Sequence, residues 1–86
     1  MKTAPKKIQN QAIKAACLYR DAVSDNVSPD TVLDVTNLRK EAFDKLVAAM
    51  ECTGEEELMV HETLADIVRQ TPRKPFTAKR LLRHGA

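Results

Sequence analysis

Glycine is scarce in this chain, and this scarcity is the feature that most limits the folds available to it. Only Gly54 and Gly85 are glycine among 86 residues, whereas the tight turns of β-hairpins depend on glycine. Ala, Leu and Lys are the commonest residues, and with Glu and Arg they are good helix formers. With 43% hydrophobic and 30% charged residues, the composition is that of a small globular protein with one core. These features predict an all-α fold.

The spacing of apolar residues predicts where the helices lie. Apolar side chains recur at steps of three and four residues, the period of a helix with one buried face. We therefore expect a single helical domain over 1–86, a bundle of four to five helices with a proline-containing arm before a short basic C-terminal helix. Its elements are helices over 5–23, 29–35 (short), 37–52 and 54–70, an extended arm over 71–77 and a short basic helix over 78–84.

Capping residues mark two of the helix starts. Ser28 followed by Pro29 suits the N-cap and the first position of a helix. Thr53 with Glu56 three residues later predicts a capping box, in which each side chain bonds the backbone amide of the other residue. These patterns support helices that begin just after Ser28 and just after Thr53.

A break is expected between the second and third predicted helices. Val35 and Thr36 are β-branched, and Asn37 favours helix ends over helix interiors. β-Branched residues lose side-chain freedom in a helix, and asparagine competes with the backbone for hydrogen bonds. We therefore expect a kink or a fresh helix start near Asn37, and we divide the stretch into helices over 29–35 and 37–52.

The residues that precede the last helix predict an ordered arm. Pro72 ends the preceding helix, and with Pro75 it stiffens an extended segment. Thr77 is a suitable N-cap for the final helix. Phe76 before it and Leu81 four residues after it occupy the positions of a hydrophobic staple, which fixes the direction in which a chain enters a helix.

Charge is distributed unevenly along the chain. Residues 1–20 contain five Lys or Arg and no acid, residues 21–68 contain all twelve acids and three bases, and residues 69–86 contain six bases and no acid. The net charge of +2 conceals this basic–acidic–basic order. The basic ends have three possible partners: phosphates, an acidic protein surface, or the acidic middle of the same chain.

Of the two external partners, nucleic acid is the one that this charge pattern favours. The candidate binding residues, for nucleic acid or for an acidic partner, are Arg69, Arg73, Lys74, Lys79, Arg80, Arg83, Lys6 and Lys7. Because no Asn or Gln accompanies the C-terminal bases, we expect them to contact the phosphate backbone more than the base edges. A helix-turn-helix is disfavoured, since about seven residues with two prolines separate the last two predicted helices.

Several other classes of function lack support in the sequence. No apolar run is long enough to span a membrane. Cys17, Cys52 and His61 have no regular zinc-ligand spacing, and no glycine-rich loop is present to hold a nucleotide. We therefore expect a cytoplasmic protein that is not an enzyme, with no cofactor, no metal, no catalytic residues and no small-molecule substrate.

The sequence as a whole indicates a small regulatory protein. We expect its basic arm and last helix to contact nucleic acid, with the protein acting as a homodimer. The alternative is a protein-binding inhibitor or adaptor that uses the same basic surface, such as a phage-type protein that blocks host nucleic-acid-handling machinery. Apolar residues that lie off the main helical stripes are the candidates for a dimer contact: Leu18, Val27, Leu33, Met59 and Val60.

Overall fold

The computed structural model of the protein describes residues 1–85, and all regular secondary structure in this range is α-helical. The four helices are α1 (Lys6–Ser24), α2 (Pro29–Met50), α3 (Gly54–Gln70) and α4 (Ala78–Gly85). The all-α prediction is confirmed, with four helices. No helix in this range is long and apolar enough to cross a membrane.

The break expected near Thr36 is wrong, because α2 is one continuous helix. Val35 is fully buried, and its packing against α1 offsets the low helix propensity of a β-branched residue. The Thr36 hydroxyl donates to the Val32 carbonyl oxygen at 2.7 Å, so its hydrogen bond lies within the helix instead of competing with it. The helix ends where Glu51 adopts a left-handed conformation, with φ of 53°.

The predicted capping residues of α2 and α3 are confirmed. The Ser28 hydroxyl accepts from the Thr31 amide at 3.3 Å at the start of α2, with Pro29 in the first helical turn. At the start of α3, the Thr53 amide donates to Glu56 Oε1 at 2.8 Å, and the Glu56 amide donates to Thr53 Oγ1 at 3.3 Å. Both helix starts therefore have the side-chain partners that their exposed amides need.

Two apolar clusters lie at opposite ends of the antiparallel pair formed by α1 and α2. The first cluster joins the start of α1 to the end of α2 and to α3; its buried members are Ala4, Ala12, Phe43, Leu46, Val47 and Val60. The second cluster joins the end of α1 to the start of α2 and to the C-terminal residues; it contains Leu18, Ala22 and Val35, with Phe76 and Leu81 packed against them. Helix α1 thus contacts all three other helices.

The directions of α3 and α4 follow from their contacts with the rest of the chain. Glu56 at the start of α3 pairs with the N-terminal amino group at 3.3 Å, and Val68 near its end accepts from Arg20. Helix α3 therefore runs in the same direction as α1. In α4, Arg80 contacts Asp21, and the helix runs back along α1. The chain alternates direction from α1 to α4.

Only part of the apolar set predicted for a dimer contact is exposed. Leu18 and Val60 belong to the two apolar clusters and are 2% and 8% exposed, so their assignment to a surface is wrong. Val27 is half-buried against the second cluster. Leu33 and Met59 are exposed, as predicted, at 58% and 57%. Of the predicted set, Leu33 and Met59 are therefore the two members that remain exposed.

Candidate functional site

A groove of about 520 Å³ lies between α1, the arm over 71–77 and α4. We call it the cationic groove, because its lining includes Lys14 and Arg20 from α1, Lys74 from the arm, and Arg80, Arg83 and His84 from α4. Asp21 is the one acidic residue in this lining. Basic residues from both ends of the sequence therefore share one concave surface.

Asp21 organises the inner side of the groove. It is fully buried, and each of its carboxylate oxygens has an arginine partner: Arg20 Nε and Nη2 lie 3.0 Å from Oδ1, and Arg80 Nη2 lies 3.0 Å from Oδ2. We call these three residues the Asp21 cluster. A buried carboxylate requires such compensation, since an unpaired charge in the interior is strongly unfavourable.

The Asp21 cluster keeps its carboxylate ionised. Burial alone raises the pKa of Asp21, but hydrogen bonds from Arg20 and Arg80 and their positive charges outweigh burial and hold the pKa below its ordinary value. At neutral pH, Asp21 therefore neutralises one of the two arginines that contact it. The groove lining retains an excess of positive charge from the remaining bases.

The same arginines hold the backbone of the arm. Arg20 donates to the carbonyl oxygens of Val68, Thr71 (2.6 Å) and Pro72 (3.3 Å). Val68 lies in the last turn of α3, where its oxygen also accepts from the Thr71 amide, whereas Thr71 and Pro72 begin the arm. Arg20 therefore holds both the end of α3 and the start of the arm. Arg80 does the same for the arm itself, since its Nη1 atom donates to the carbonyl oxygens of Lys74 at 3.3 Å and Pro75 at 3.0 Å.

Asp25, just after the end of α1, provides a second attachment for the arm. Its Oδ1 atom lies 3.0 Å from Arg73 Nη2, and its Oδ2 atom accepts from the backbone amide of Phe76 at 2.8 Å. Phe76 and Leu81 pack against the second apolar cluster, and the Arg80 amide donates to Thr77 Oγ1 at 3.2 Å. The Thr77 N-cap is confirmed, and both predicted staple residues face the same core.

The predicted binding residues divide into cations with a carboxylate partner, one each on α3, the arm and α4, and cations without one. Arg69 pairs with Asp66 on the same exposed face of α3, outside the groove lining. Arg73 pairs with Asp25, and Arg80 belongs to the Asp21 cluster. These three arginines already have carboxylate partners, and Arg80 in particular acts as part of the scaffold.

The other predicted residues are exposed, and none has a salt bridge within residues 1–85. Lys74 and Arg83 line the groove, whereas Lys79 lies outside its lining on α4. Lys7 is seven residues, or about two helical turns, before Lys14, so it continues the basic face of α1 beyond the groove. Lys6 is one residue earlier and therefore rotated by about 100° from Lys7 around the helix axis.

His84 adds a titratable group to the groove. It is half-buried on α4. Burial of the imidazole, together with the nearby positive charge of Lys14, lowers the pKa of His84 below its ordinary value. His84 is therefore mostly neutral at pH 7 and can donate or accept a hydrogen bond there.

Of the charged side chains and the histidine that line the groove, four were absent from the sequence-based site: Lys14, Arg20, Asp21 and His84. Lys14 and Arg20 were visible as part of the basic N-terminal segment, but one-dimensional charge does not show which residues α4 will face. Asp21 carried a clearer signal, since it stands three and four residues after the buried Leu18 and Cys17. An acid on a buried helical stripe requires a basic partner from elsewhere in the chain.

A second groove, of about 420 Å³ and mainly apolar, lies between α1 and α3. The first four residues, α1, the end of α2 and α3 form it, and its lining includes Met1, Ile13, Met50, Met59 and Ile67. Within residues 1–85, no group of three or more His, Cys, Asp or Glu side chains is placed to hold a metal ion.

No known protein family, no curated protein and no solved structure matches this chain. Its class is therefore defined by its own fold and geometry. Over residues 1–85 it is all-α, with four helices, and the arm and α4 form a cationic groove against α1.

Proposed function

We propose that this is a non-enzymatic regulatory protein that binds nucleic acid through its cationic groove, and that it acts as a dimer. One observation carries the proposal: bases from α1, the arm and α4 line the same groove, where the single acid is buried and already paired. Phosphates are the anions that such a surface attracts most strongly, because their binding releases condensed counterions.

The groove residues have two roles in this proposal. Lys14, Lys74 and Arg83 have no salt bridge within residues 1–85, so they are the cations that contact phosphates. Arg20 and Arg80 are fixed by Asp21 and by backbone carbonyls, so they shape the groove and add to its positive potential. Residues that contact phosphates position a nucleic acid without reading its sequence.

A salt titration tests the proposal. Fluorescence anisotropy with labelled nucleic acids of mixed sequence should show a loss of affinity as salt rises from about 50 to 200 mM. Arg83→Ala should reduce the magnitude of the slope of log K against log salt by about one, which is the contribution of one phosphate contact. Lys45→Ala is the matched control, since Lys45 is exposed on α2 and outside the groove lining. Absence of binding at low salt would refute the proposal.

Dimerisation is a separate part of the proposal. Met59 and Ile67 are exposed along the apolar groove, at 57% and 36%, and Leu58 on the same helix is 61% exposed. Contact with a second copy would remove this apolar surface from water. Light scattering should give twice the 9.6 kDa mass of one chain, and Met59→Lys should lower the fraction of dimer. A monomer mass at high protein concentration would exclude the proposed dimer.

The alternative function is a protein-binding inhibitor or adaptor, and one residue favours it. Leu82 is 73% exposed on α4, where Lys79 and Arg83 flank it. An exposed leucine between bases suits a partner surface that is both apolar and acidic, since hot spots of protein interfaces are buried apolar anchors. Leu82→Ala should then abolish binding to the protein partner in a host-lysate pull-down while leaving nucleic-acid binding unchanged. Loss of nucleic-acid binding in Leu82→Ala, with binding to the protein partner unchanged, favours the nucleic-acid function.

A further inference from the structure

We infer that the ligand of the cationic groove is a single strand, DNA or RNA, and not a duplex. This inference rests on the function proposed above and narrows it to one class of nucleic acid. Its basis is the shape of the groove, the position of its unpaired cations and the composition of its floor.

The cations line a concave surface instead of standing on a protruding one. Lys14 lies on the α1 wall, and Lys74 and Arg83 lie on the opposite wall, formed by the arm and α4. Proteins that bind duplex DNA usually insert a helix or strand into its grooves, which requires a protruding element. Proteins that bind single strands use a positively charged groove that tracks the backbone. The arrangement here is of the second kind.

The length of the groove suits a short stretch of one strand. Gln11 and Asp21 mark its extent along α1, and ten residues of α-helix span about 15 Å. At about 3.4 Å per nucleotide along a stacked strand, this length accommodates roughly four nucleotides. Three unpaired cations, Lys14, Lys74 and Arg83, are available for their phosphates.

The floor of the groove suits bases and sugars without selecting a sequence. It is formed in part by Ile13, Cys17 and Leu18 of α1 and by Pro72 of the arm. Tyr19, Phe43 and Phe76 are absent from the lining, which leaves His84 as the one aromatic ring there. With apolar contacts and a single aromatic ring, discrimination among bases should be weak.

The outer face of α4 is the alternative surface for a duplex, and it makes a different prediction. Lys79 is exposed on that face, outside the groove lining, whereas Lys14 lines the groove from α1. Insertion of α4 into a major groove would use Lys79 and leave Lys14 without a phosphate. The variants Lys14→Ala and Lys79→Ala therefore remove one exposed lysine each and distinguish the two modes of binding.

The test compares 5′-fluorescein oligo(dT) and oligo(rU) with a hairpin duplex containing as many nucleotides, by anisotropy at low salt. We expect at least one single strand to bind about tenfold more tightly than the duplex, with a salt slope near −2 for three phosphates. Lys14→Ala should reduce that slope by about 0.7, and Lys79→Ala should leave it unchanged. Circular dichroism checks that both variants retain their helices.

Each outcome has a distinct meaning. Tighter binding of the dT or rU strand, with the salt slope reduced in Lys14→Ala, supports the inference for DNA or RNA respectively. Equal or tighter binding of the duplex, or a loss confined to Lys79→Ala, overturns the inference while leaving the proposed function intact. Failure of all three probes to bind at low salt overturns the proposed function, and the inference falls with it.

Discussion

Asp21 is the residue that links the C-terminal part of the protein to α1 most directly. Asp21→Asn removes the charge that compensates Arg20 and Arg80, while keeping the size of the side chain. Removal of one partner from a buried ion pair typically costs about 3 kcal/mol of unfolding free energy, because the remaining charges are left without compensation. Urea denaturation measures this loss. Asp34→Asn is the control, since Asp34 is exposed, and equal stability of the two variants would contradict the assigned role of Asp21.

Single residues also predict how stability depends on pH. The pKa of Asp21 is lowered in the folded state, and so is that of Glu56, which accepts from the Thr53 amide and pairs with the N-terminal amino group. Such carboxylates favour folding fully above their unfolded-state pKa values of about 4, and this contribution is lost as pH falls through the lower folded-state values. Urea midpoints should therefore fall in the acid range, and Asp21→Asn should show a smaller fall.

Titration of His84 should add a second pH-dependent change in stability, at a pH nearer to 7. Its pKa is lowered by burial and by Lys14, so the unfolded chain binds a proton at His84 more readily than the folded protein does. Stability should therefore decrease as pH falls below the unfolded-state value of about 6.5. His84→Gln should remove this step and leave the acid step intact. If the variant and the natural protein show identical stability at every pH, protonation of His84 does not contribute to the pH dependence of stability.

At the scale of elements, the arm is ordered by contacts that the sequence indicates only in part. Pro72, Pro75 and the Phe76–Leu81 staple predicted an ordered segment, because prolines and capping residues act locally. The hydrogen bonds from the arm and α4 to Asp21 and Asp25 join residues about fifty to sixty positions apart in the sequence. Local sequence patterns contain no information about such distant partners. The same limit explains α2, where the buried contacts of Val35 outweigh its weak preference for a helix.

Asp25→Ala should loosen the arm while the helices remain folded. It removes the acceptor of the Phe76 amide and the partner of Arg73. Because hydrogen bonds to charged groups contribute roughly 1.5–3 kcal/mol, exchange of the Phe76 amide hydrogen should accelerate by about ten- to a hundredfold. Asp66→Ala is the control, since it removes only an exposed ion pair on α3. Unchanged exchange at Phe76 would show that Asp25 does not hold the arm.

At the scale of the whole molecule, two matched valines separate the roles of the two apolar clusters. Val47→Ala removes two methyl groups from the first cluster, and Val35→Ala removes two from the second. Each should lower the free energy of unfolding by about 2 kcal/mol, because apolar contacts are lost and a cavity remains. Only the second cluster contacts Phe76 and Leu81. Amide exchange in α4 should therefore accelerate more in Val35→Ala. Equal acceleration in both variants would show that the two clusters unfold as one.

The fold was more accessible from the sequence than the site was. Helix periodicity, caps and the staple depend on neighbours within a few residues, and the sequence displays them directly. The groove depends on which side chains of α1 face α4, and charge counts along the chain do not contain that information. Arg80 illustrates the difference, since its charge was evident but its pairing with a buried acid was not.

The separation of 59 residues between Asp21 and Arg80 also has a kinetic consequence. Contacts between distant residues form late in folding, because closing a long loop costs more chain entropy than forming a local turn. We therefore expect the α1–α2 hairpin to form first and the cationic groove to be completed last. On unfolding the order reverses, so mild denaturant should abolish ligand binding before it reduces helix content. Ligand binding would then be the property of this molecule that denaturant removes first.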